Sequence, residues 1–193
     1  MILYHQMDTL TDFQLITLYK DGNTRAFEGL INRYGQVLYR YIFRLISNDI
    51  DAQDIVQETF IKSWKNINKY DISKSFRTWI FTIAHRTAID YLRKRKNISF
   101  SSLDDYEEYS FEQNIPDNDF LPDEIFEKAE MFDLIQGLLK ALPLENKTII
   151  LLHLTEEMTF DEISNVMDKP LNTVKSQYRR TLIELRKQIA PKL

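Results

Sequence analysis

The most constraining feature of this sequence is a strongly acidic segment near its middle. Residues 97–127 contain ten acidic residues and neither lysine nor arginine, and two prolines interrupt a stretch that has no helical period. Segments of this composition often stay disordered, because they bury too little apolar surface to offset the conformational entropy lost on folding. We therefore predict an acidic flexible linker at 97–122, which joins a unit at 11–96 to a unit at 123–190.

Aromatic and leucine side chains are nevertheless spaced along the linker, and they leave open whether it docks on a partner or stays solvated. They are Phe100, Leu103, Tyr106, Tyr109, Phe111 and Phe120. The net charge is −4, and removing the ten acidic charges leaves +6 for the rest of the chain. This segregation favours basic surfaces that meet a polyanion. Charge alone supports equally well an acidic tether between two ordinary domains.

Both flanking units have the periodicity of helices. The 193 residues include only 4 glycines and 5 prolines, and no stretch alternates apolar and polar residues as a half-buried strand would. The sequence therefore predicts an all-α fold of two small helical domains. Thr11 and Gln14 form a capping-box pattern for the first helix, and Gly22 marks its end. Further helices are predicted at about 24–47, 49–67, 75–96, 124–141, 145–154, 160–167 and 173–190.

The third of these helices opens with "DAQDIVQETFIKSW", residues 51–64, in which three carboxylates occupy the first eight positions. Helical phasing places Ala52, Ile55, Val56 and Phe60 toward the core, whereas Asp51, Asp54 and Glu58 share the opposite side. The helix dipole favours acids in the first turn, but like charges four residues apart repel. Ile61 lies exposed beside these acids, as expected of a surface that docks on a partner.

The fourth helix, "SFRTWIFTIAHRTAIDYLRKRK", is apolar over most of its circumference. One remaining strip mixes cations with short polar side chains along four turns: Thr78, Thr82, His85, Arg86, Ile89 and Arg93. Just upstream, Tyr70, Phe76 and Trp79 lie near Lys69, Lys74 and Arg77. Aromatic rings beside cations suit unstacked single-stranded DNA. Packing into the core is expected to cover most of Phe76 and Trp79.

The last two helices have the layout of a helix-turn-helix. Thr159 and Glu162 form a capping box, "MDKPL" makes the turn, and Asn172 is the predicted N-cap of the second helix. Phasing turns Val174, Tyr178, Leu182, Leu185 and Ile189 inward. Polar and basic residues lie opposite them and suit the major groove, where amides and hydroxyls read base edges and cations hold phosphates. An ordinary solvated amphipathic helix is the alternative.

Other functional classes find little support. There is no cysteine, the three histidines are scattered, and no acidic cluster is accompanied by catalytic partners, so neither a metal, a cofactor nor an enzymatic activity is expected. A nuclease or recombinase is the enzymatic alternative, and divalent-metal-dependent cleavage of supercoiled DNA would support it. The polar start "MILYHQMDTL" and the lack of a long apolar run predict a cytoplasmic protein without membrane insertion.

Taken together, these segments resemble sigma-70-type RNA polymerase initiation factors of the extracytoplasmic-function (ECF) group, which are bacterial. Residues 51–64 resemble the core-binding motif of region two, and "SFRTWIFTIAHRTAIDYLRKRK" resembles the adjoining helix that melts the promoter and reads the minus-ten element. "LPLENKTIILLHLTEEMTFDEISNVMDKPLNTVKSQYRRTLIELRKQ" is similar to region four, which reads the minus-thirty-five element. The resemblance covers nearly the whole chain from Thr11 to Gln188.

The resemblance implies a factor that binds core RNA polymerase through its beta and beta-prime subunits, directs it to promoter DNA and assists melting. An anti-sigma factor is a further candidate partner, and the free chain is expected to be a monomer. The acidic linker would thread the basic channels of the polymerase. The implied polymerase-binding residues are Asp51, Asp54, Gln57, Glu58, Phe60, Ile61 and Trp64. The implied minus-ten residues are Tyr70, Lys74, Arg77, Thr78, Trp79, Thr82, His85, Arg86, Ile89 and Arg93. The implied minus-thirty-five residues are Asn172, Thr173, Lys175, Ser176, Gln177, Arg179 and Arg180.

Two positions depart from the family pattern. Asp168 stands in the turn where the family usually has glycine, and "TVKSQ" stands where the family commonly has "TVKSR". Gln177 in place of arginine is expected to weaken a phosphate or guanine contact and to favour adenine. The main alternative function is a conventional helix-turn-helix regulator that binds duplex DNA without being a polymerase subunit. The promoter sequence, the inducing signal and the source organism do not follow from the sequence.

Overall fold

The computed structural model describes residues 9–99, 137–139 and 141–189, and the side chains of 96–99 and 189 are not described. Within these ranges the chain is helical and contains no strand. The helices are α1 (Asp12–Lys20), α2 (Ala26–Ile46), α3 (Asp49–Asn66), α4 (Phe76–Ser99), α5 (Leu144–Ile150), α6 (Phe160–Met167) and α7 (Leu171–Ile189). A 3₁₀ turn (Ile67–Lys69) follows α3, and a π-helical turn (Leu151–Thr155) follows α5. The predicted all-α fold is confirmed.

Helices α1 to α4 form the N-terminal unit. Thr11 and Gln14 make the predicted capping box, and Gly22 ends the first helical segment with a positive φ of 101°. The amphipathic stripe of α2 faces the other three helices, and its burial stabilises the unit because apolar area leaves water. The most deeply buried side chains include Leu15, Ile16, Leu30, Leu38, Tyr41, Ile42, Ile55, Ile67, Ile80 and Phe81.

Helices α5 to α7 form the C-terminal unit. Thr159 and Glu162 make the predicted capping box of α6, and Asp168 ends that helix in the left-handed conformation, with φ 54° and ψ 49°. Pro170 accepts the first backbone bonds of α7 from Thr173 and Val174, so Asn172 lies inside the first turn. The prediction that Asn172 is the N-cap is therefore wrong, because the helix begins at Leu171 and its first bond is already accepted by the Pro170 carbonyl.

One further boundary and one helix face differ from expectation. Helix α4 continues to Ser99, three residues beyond the predicted end. On α7, Leu182 is 38% exposed, whereas Thr181 is fully buried and donates to the Gln177 carbonyl. The inward stripe of α7 is thus rotated slightly from the predicted one. The predicted linker from residue 100 onward and most of the predicted helix at 124–141 lie outside the described residues.

The two units pack against each other in this structure. Helix α6 lies along α4, and α2 contacts α5 and the π-helical turn. The buried Lys147 ammonium donates to the Leu45 carbonyl over 3.0 Å, and this bond caps the C-terminal end of α2 from the other unit. Buried apolar side chains from both units form one continuous cluster. None of the described helices is both long and apolar enough to cross a bilayer.

Candidate polymerase and nucleic-acid interfaces

One candidate interface lies on the exposed side of α3. Asn48 caps this helix by accepting from the Asp51 amide over 3.0 Å, and this bond fixes the turn that presents the acidic residues. Asp54, Gln57 and Glu58 are exposed, as predicted. Ile61 and Trp64 are 49% and 52% exposed, which is unusual for large apolar side chains on a helix with a buried face. The side therefore offers an apolar patch beside carboxylates.

Two predicted residues of this interface are directed elsewhere. The Asp51 carboxylate accepts from Arg95 over 3.0 Å, and its proximity contributes, after burial, to the raised pKa of Tyr91. Phe60 is only 8% exposed and belongs to the core. Because Asp51 is bonded to Arg95 of α4 and Phe60 packs into the core, both residues hold α3 in place rather than offering a free docking group.

A cleft of about 570 Å³ opens between the end of α3, the 3₁₀ turn and α4. Tyr70, Trp79 and Ile83 supply its apolar lining, and the exposed side chains of Asn66, Lys69 and Arg86 supply polar groups and positive charge. Lys62 and Thr87 complete it and are joined by a hydrogen bond of 3.1 Å. The volume lies within the range of ligand-binding pockets, and flat apolar walls beside cations suit a nucleobase with its phosphate.

Trp79 is held in this cleft by neighbouring rings. Its ring centroid lies 4.8 Å from that of Tyr70 and 5.4 Å from that of Phe76, and Tyr70 and Phe76 meet edge to face. Tyr70 is buried and donates its hydroxyl to the Lys74 carbonyl, so it supports the wall more than it offers a polar group. The fixed rings leave Trp79 half-buried and one part of it open to the cleft. This geometry preorganises a stacking surface.

A different face of α4 is covered by the C-terminal unit. The Thr78 hydroxyl lies 3.4 Å from the Glu162 carboxylate. Arg77 donates to the Glu156 carbonyl, and its guanidinium lies 3.8 Å from the Glu156 carboxylate. His85 is buried and shares a hydrogen bond of 3.2 Å with the Tyr41 hydroxyl. The predicted minus-ten residues are thus divided: Trp79 and Arg86 line the cleft, Arg77 and Thr78 are half-buried against the C-terminal unit, and His85 is buried.

Burial also governs the protonation of His85. Burial and, to a lesser extent, the nearby Arg86 guanidinium lower the pKa of the imidazole from its ordinary 6.5 to about 4. Glu145 acts in the opposite direction, and Lys169 in the same direction as Arg86. The imidazole is therefore neutral near pH 7. A neutral, enclosed ring cannot supply a cation to a phosphate in this arrangement.

The other predicted minus-ten residues are less closely engaged. Thr82 donates to the Thr78 carbonyl over 2.7 Å, and Ile89 is half-buried. Arg93 is exposed and 3.8 Å from Asp90 on the same helix, and Lys74 is exposed in the turn before α4. Residues of the cleft that the prediction missed are Lys62, Asn66, Ile83 and Thr87, whereas Lys69 was expected beside the aromatic rings. The spacing of Lys62 and Asn66, one turn apart before the predicted break, is the signal that could have indicated two of them.

The second helix of the helix-turn-helix presents most of its predicted face to solvent. Asn172, Thr173, Lys175, Arg179 and Arg180 are exposed, and the Ser176 hydroxyl donates to the Thr173 carbonyl over 2.9 Å. Gln177 differs, because its amide donates to the Glu145 carboxylate of α5 over 3.2 Å. Burial raises the pKa of the Glu162 carboxyl, but hydrogen bonds from Thr159 and Thr78 outweigh this effect and leave the pKa lowered, so that α6 is capped by an ionised group.

No group of three or more histidine, aspartate or glutamate side chains within the described ranges could hold a metal ion. The arrangement instead offers an acidic and apolar docking side on α3, an aromatic and basic cleft beside α4, and a polar and basic face on α7. These are three candidate binding surfaces, in the order in which the sequence predicts them.

Both units of the chain match known protein families. The sequence model of sigma-70 region 2 matches residues 30–98, and that of sigma-70 region 4 matches residues 132–185. The ECF RNA polymerase sigma factor SigW of Bacillus subtilis is 31% identical over 172 residues, which cover 88% of this chain and 92% of SigW. The ECF RNA polymerase sigma-E factor of Haemophilus influenzae is 30% identical over 192 residues, covering 95% of this chain and 98% of that protein.

Solved structures share the fold at lower identity. CnrH, in complex with the cytosolic domain of CnrY, matches with a TM-score of 0.68 and 21% identity over 94% of this chain and 99% of that chain. RpoE of Bartonella quintana, in complex with the anti-sigma factor NepR, matches with a TM-score of 0.70 and 17% identity over 86% and 98%. Because a relative above 30% identity is covered almost throughout, the chain belongs to the ECF family of sigma-70-type RNA polymerase sigma factors.

Proposed function

We propose that this RNA polymerase sigma factor divides promoter recognition among the three surfaces described above. The exposed side of α3 docks on the beta-prime and beta subunits of core polymerase, the cleft beside α4 holds the non-template strand of the minus-ten element, and α7 reads the minus-thirty-five duplex. The proposed limits of the two units are 11–96 and 123–190, joined by the acidic linker. The chain would act in the bacterial cytoplasm and be a monomer when free.

The observation that carries the proposal is the cleft with Trp79 in its wall. A melted strand exposes bases that lose their stacking neighbours, and a flat ring replaces part of that lost contact. Lys69 and Arg86 are exposed beside it and can neutralise phosphates on either side of a captured base. A duplex would not fit, because its bases are stacked and their faces are covered.

The α3 side supports the polymerase-docking part of the proposal. Asp54 and Glu58 supply negative charge, although Glu58 is shared with Lys62 over 2.8 Å. Ile61 and Trp64 supply apolar area next to them. An interface that combines a few apolar anchors with charges at its rim gains affinity from the anchors and partner selection from the charges.

The enclosed part of α4 sets a condition on this function. Thr78 can contact DNA only after α6 has moved away from α4, since its hydroxyl lies 3.4 Å from the Glu162 carboxylate of α6. His85 is buried and shares a hydrogen bond with Tyr41 of α2. The cleft lies on another side of α4 and is open already. We infer that the free chain offers the cleft first, and that polymerase or promoter binding separates the units.

The proposed function as a whole is tested by run-off transcription with purified core RNA polymerase and the full chain. Promoter-specific transcripts are expected with the complete mixture and not with core enzyme alone. Tight duplex binding by the isolated chain without such transcripts would favour the conventional helix-turn-helix regulator instead.

The cleft itself can be tested by fluorescence. The chain has two tryptophans, Trp64 and Trp79, so a Trp64→Phe variant isolates the emission of Trp79. Short single-stranded DNA of randomised sequence should quench that emission, and Lys69→Ala should weaken the effect and its salt dependence. Quenching that is equal with duplex DNA, or that is absent in the holoenzyme, would place the strand elsewhere.

An anti-sigma factor is a proposed further partner of the chain. The likeness in fold to two sigma factors that were solved with regulatory partners motivates this proposal. Co-purification of the full chain with a second protein that abolishes run-off transcription would support it.

A further inference from the structure

The Gln177 side chain is turned toward the body of the C-terminal unit. Its Nε2 donates to Glu145 Oε2 over 3.2 Å, and its Oε1 is buried without a hydrogen-bond partner among the described residues. The amide orientation is set by the carboxylate, because the reverse orientation would place two oxygens against each other. The Oε1 atom of Gln177 is therefore withdrawn from the exposed face of α7, and the Nε2 atom is directed at Glu145.

The same Glu145 oxygen also holds the helix-turn-helix turn. Lys169 Nζ lies 2.5 Å from Glu145 Oε2, and the Lys169 carbonyl accepts from the Ser164 hydroxyl over 2.6 Å. One carboxylate of α5 thus contacts the turn and the second helix together. This bridge joins three elements of the unit and fixes how far α7 projects from it.

A glutamine that reads adenine needs its oxygen and its nitrogen at one base edge at the same time. Gln177 offers neither, since one atom is bonded to Glu145 and the other is buried. Its neighbours on α7 differ in this respect, because Thr173, Lys175 and Arg180 are exposed. The expectation that Gln177 favours adenine therefore has no support in the geometry.

We propose that Gln177 is a positioning residue, which holds α7 at its working angle through Glu145 and Lys169 and does not select a promoter base. This inference rests on the proposed function of α7 as the helix that reads the minus-thirty-five duplex. It assigns the base preference of this chain to the exposed residues of α7. The departure of "TVKSQ" from the family's "TVKSR" then leaves the promoter sequence unchanged.

The chemistry of arginine explains why either residue can fill the position. A guanidinium donates in a planar fork that matches a carboxylate, and it has no acceptor that would be left buried. Gln177→Arg should therefore keep the bridge to Glu145 and remove the unpartnered oxygen. An arginine that points at Glu145 would contact no base either.

The test uses holoenzyme reconstituted from core polymerase and the full chain. A duplex library with a randomised upstream element is selected with the wild-type protein and with Gln177→Ala, Gln177→Met and Gln177→Arg. Gln177→Met keeps the side-chain length without the amide, and it serves where the alanine variant fails to fold. The matched control is Ser176→Ala, which changes a neighbouring residue on the proposed reading face.

The expected result is one preferred sequence for the wild type and all three Gln177 variants. The alanine and methionine variants should bind every library member about threefold to tenfold more weakly, because one hydrogen bond to a charged group is lost. Gln177→Arg should restore the affinity. Glu145→Ala combined with Gln177→Ala should cost less than the sum of the single changes, because both remove the same contact.

Two outcomes would overturn the inference, and they differ from the failure of the proposed function. A changed base preference at one position with Gln177→Ala or Gln177→Met would make Gln177 a reader of DNA. Additive effects of the Glu145 and Gln177 changes would show that the two side chains do not interact. If the wild-type holoenzyme selects no upstream sequence at all, the role of α7 itself is wrong, and the inference fails with it.

Discussion

Arg95 Nη1 donates to Asp51 Oδ2 over 3.0 Å and so joins the last turns of α4 to the first turn of α3. The Asp51 side chain is 19% exposed, whereas Asp54 and Glu58 on the same helix are open to solvent. The acidic residues of α3 therefore have two different tasks. Asp51 orients α3 against α4, whereas Asp54 is open to solvent and Glu58 is exposed but paired with Lys62 on the same helix.

This division predicts that neutralising Asp51 lowers the stability of the fold, whereas neutralising Asp54 lowers the affinity for core polymerase. Asp51→Asn should lower the free energy of unfolding by about 0.5–1.5 kcal/mol, because a half-exposed ion pair and its hydrogen bond are weakened. Asp54→Ala should change it by about 0.5 kcal/mol or less and should instead lower the affinity for core polymerase. Urea denaturation and fluorescence anisotropy with core enzyme measure the two quantities.

Gln53→Ala is the control for Asp54→Ala, since Gln53 is exposed on the same helix without belonging to the proposed interface. Its affinity for core polymerase should equal that of the wild type. A lower melting temperature with unchanged polymerase affinity in Asp54→Ala would show that Asp54, like Asp51, serves the fold.

The helices could be predicted from the sequence because their signals are local. The stripe of α2 and the capping boxes at Thr11 and Thr159 depend on residues within one or two turns. The candidate surfaces depend on distant pairs, such as His85 with Tyr41 and Gln177 with Glu145. Phasing gives the face on which a side chain lies, but not the element that covers that face. Helix α4 shows this limit, because it is apolar almost all round.

The buried imidazole of His85 predicts a pH dependence of stability. Its pKa of about 4 in the folded chain lies below the ordinary 6.5, so the unfolded chain binds the proton more readily. Stability should therefore be complete above about pH 6.5 and fall as the pH drops toward 4, by on the order of 3 kcal/mol. Urea denaturation at a series of pH values measures this slope.

His85→Gln isolates the contribution of this one group. The variant should lose the difference in stability between about pH 6.5 and 4 while retaining the loss at lower pH that comes from Glu145 and Glu162, whose pKa values are lowered in the fold. Identical slopes for the wild type and His85→Gln would mean that His85 is not enclosed in solution. The contact between the two units would then be open.

The contact between the units offers a second test, through two acids that face α4. Glu156 is buried beside Arg77, whereas Asp168 and Arg86 are exposed and 3.9 Å apart. Glu156→Ala should weaken the contact by about 1 kcal/mol, since Arg77 loses a partly buried partner, and Asp168→Asn should change it by less than about 0.5 kcal/mol. Hydrogen exchange of α6 amides reports the separation.

Both variants remove one negative charge, so their effect on non-specific attraction to DNA is matched. Only Glu156→Ala should raise the affinity of the free chain for single-stranded DNA, because only it frees the enclosed face of α4. Equal gains in the two variants would attribute the effect to net charge rather than to opening.

Arg180 is exposed on the proposed reading face of α7, where a guanidinium can hold a phosphate. Arg180→Ala should weaken promoter binding by the holoenzyme uniformly across upstream sequences. It should also reduce the slope of log affinity against log salt by about one unit. Arg40 lies on the exposed side of α2, in the other unit. Arg40→Ala removes one positive charge outside α7 and should leave the slope unchanged. A slope that Arg180→Ala does not alter would place Arg180 away from phosphate.

Asp168 occupies a left-handed conformation with φ 54°, at the position where the family usually has glycine. Glycine adopts this conformation without the steric cost that a Cβ imposes, but it also loses more entropy on folding. We expect Asp168→Gly to stabilise the C-terminal unit by about 0.5 kcal/mol, whereas Asp168→Ala should destabilise it by about 1 kcal/mol. Because the Arg86 pair is exposed, its loss in both variants contributes little, and the difference between glycine and alanine in thermal denaturation isolates the backbone effect. Equal melting temperatures for the two would mean that α6 ends in another conformation.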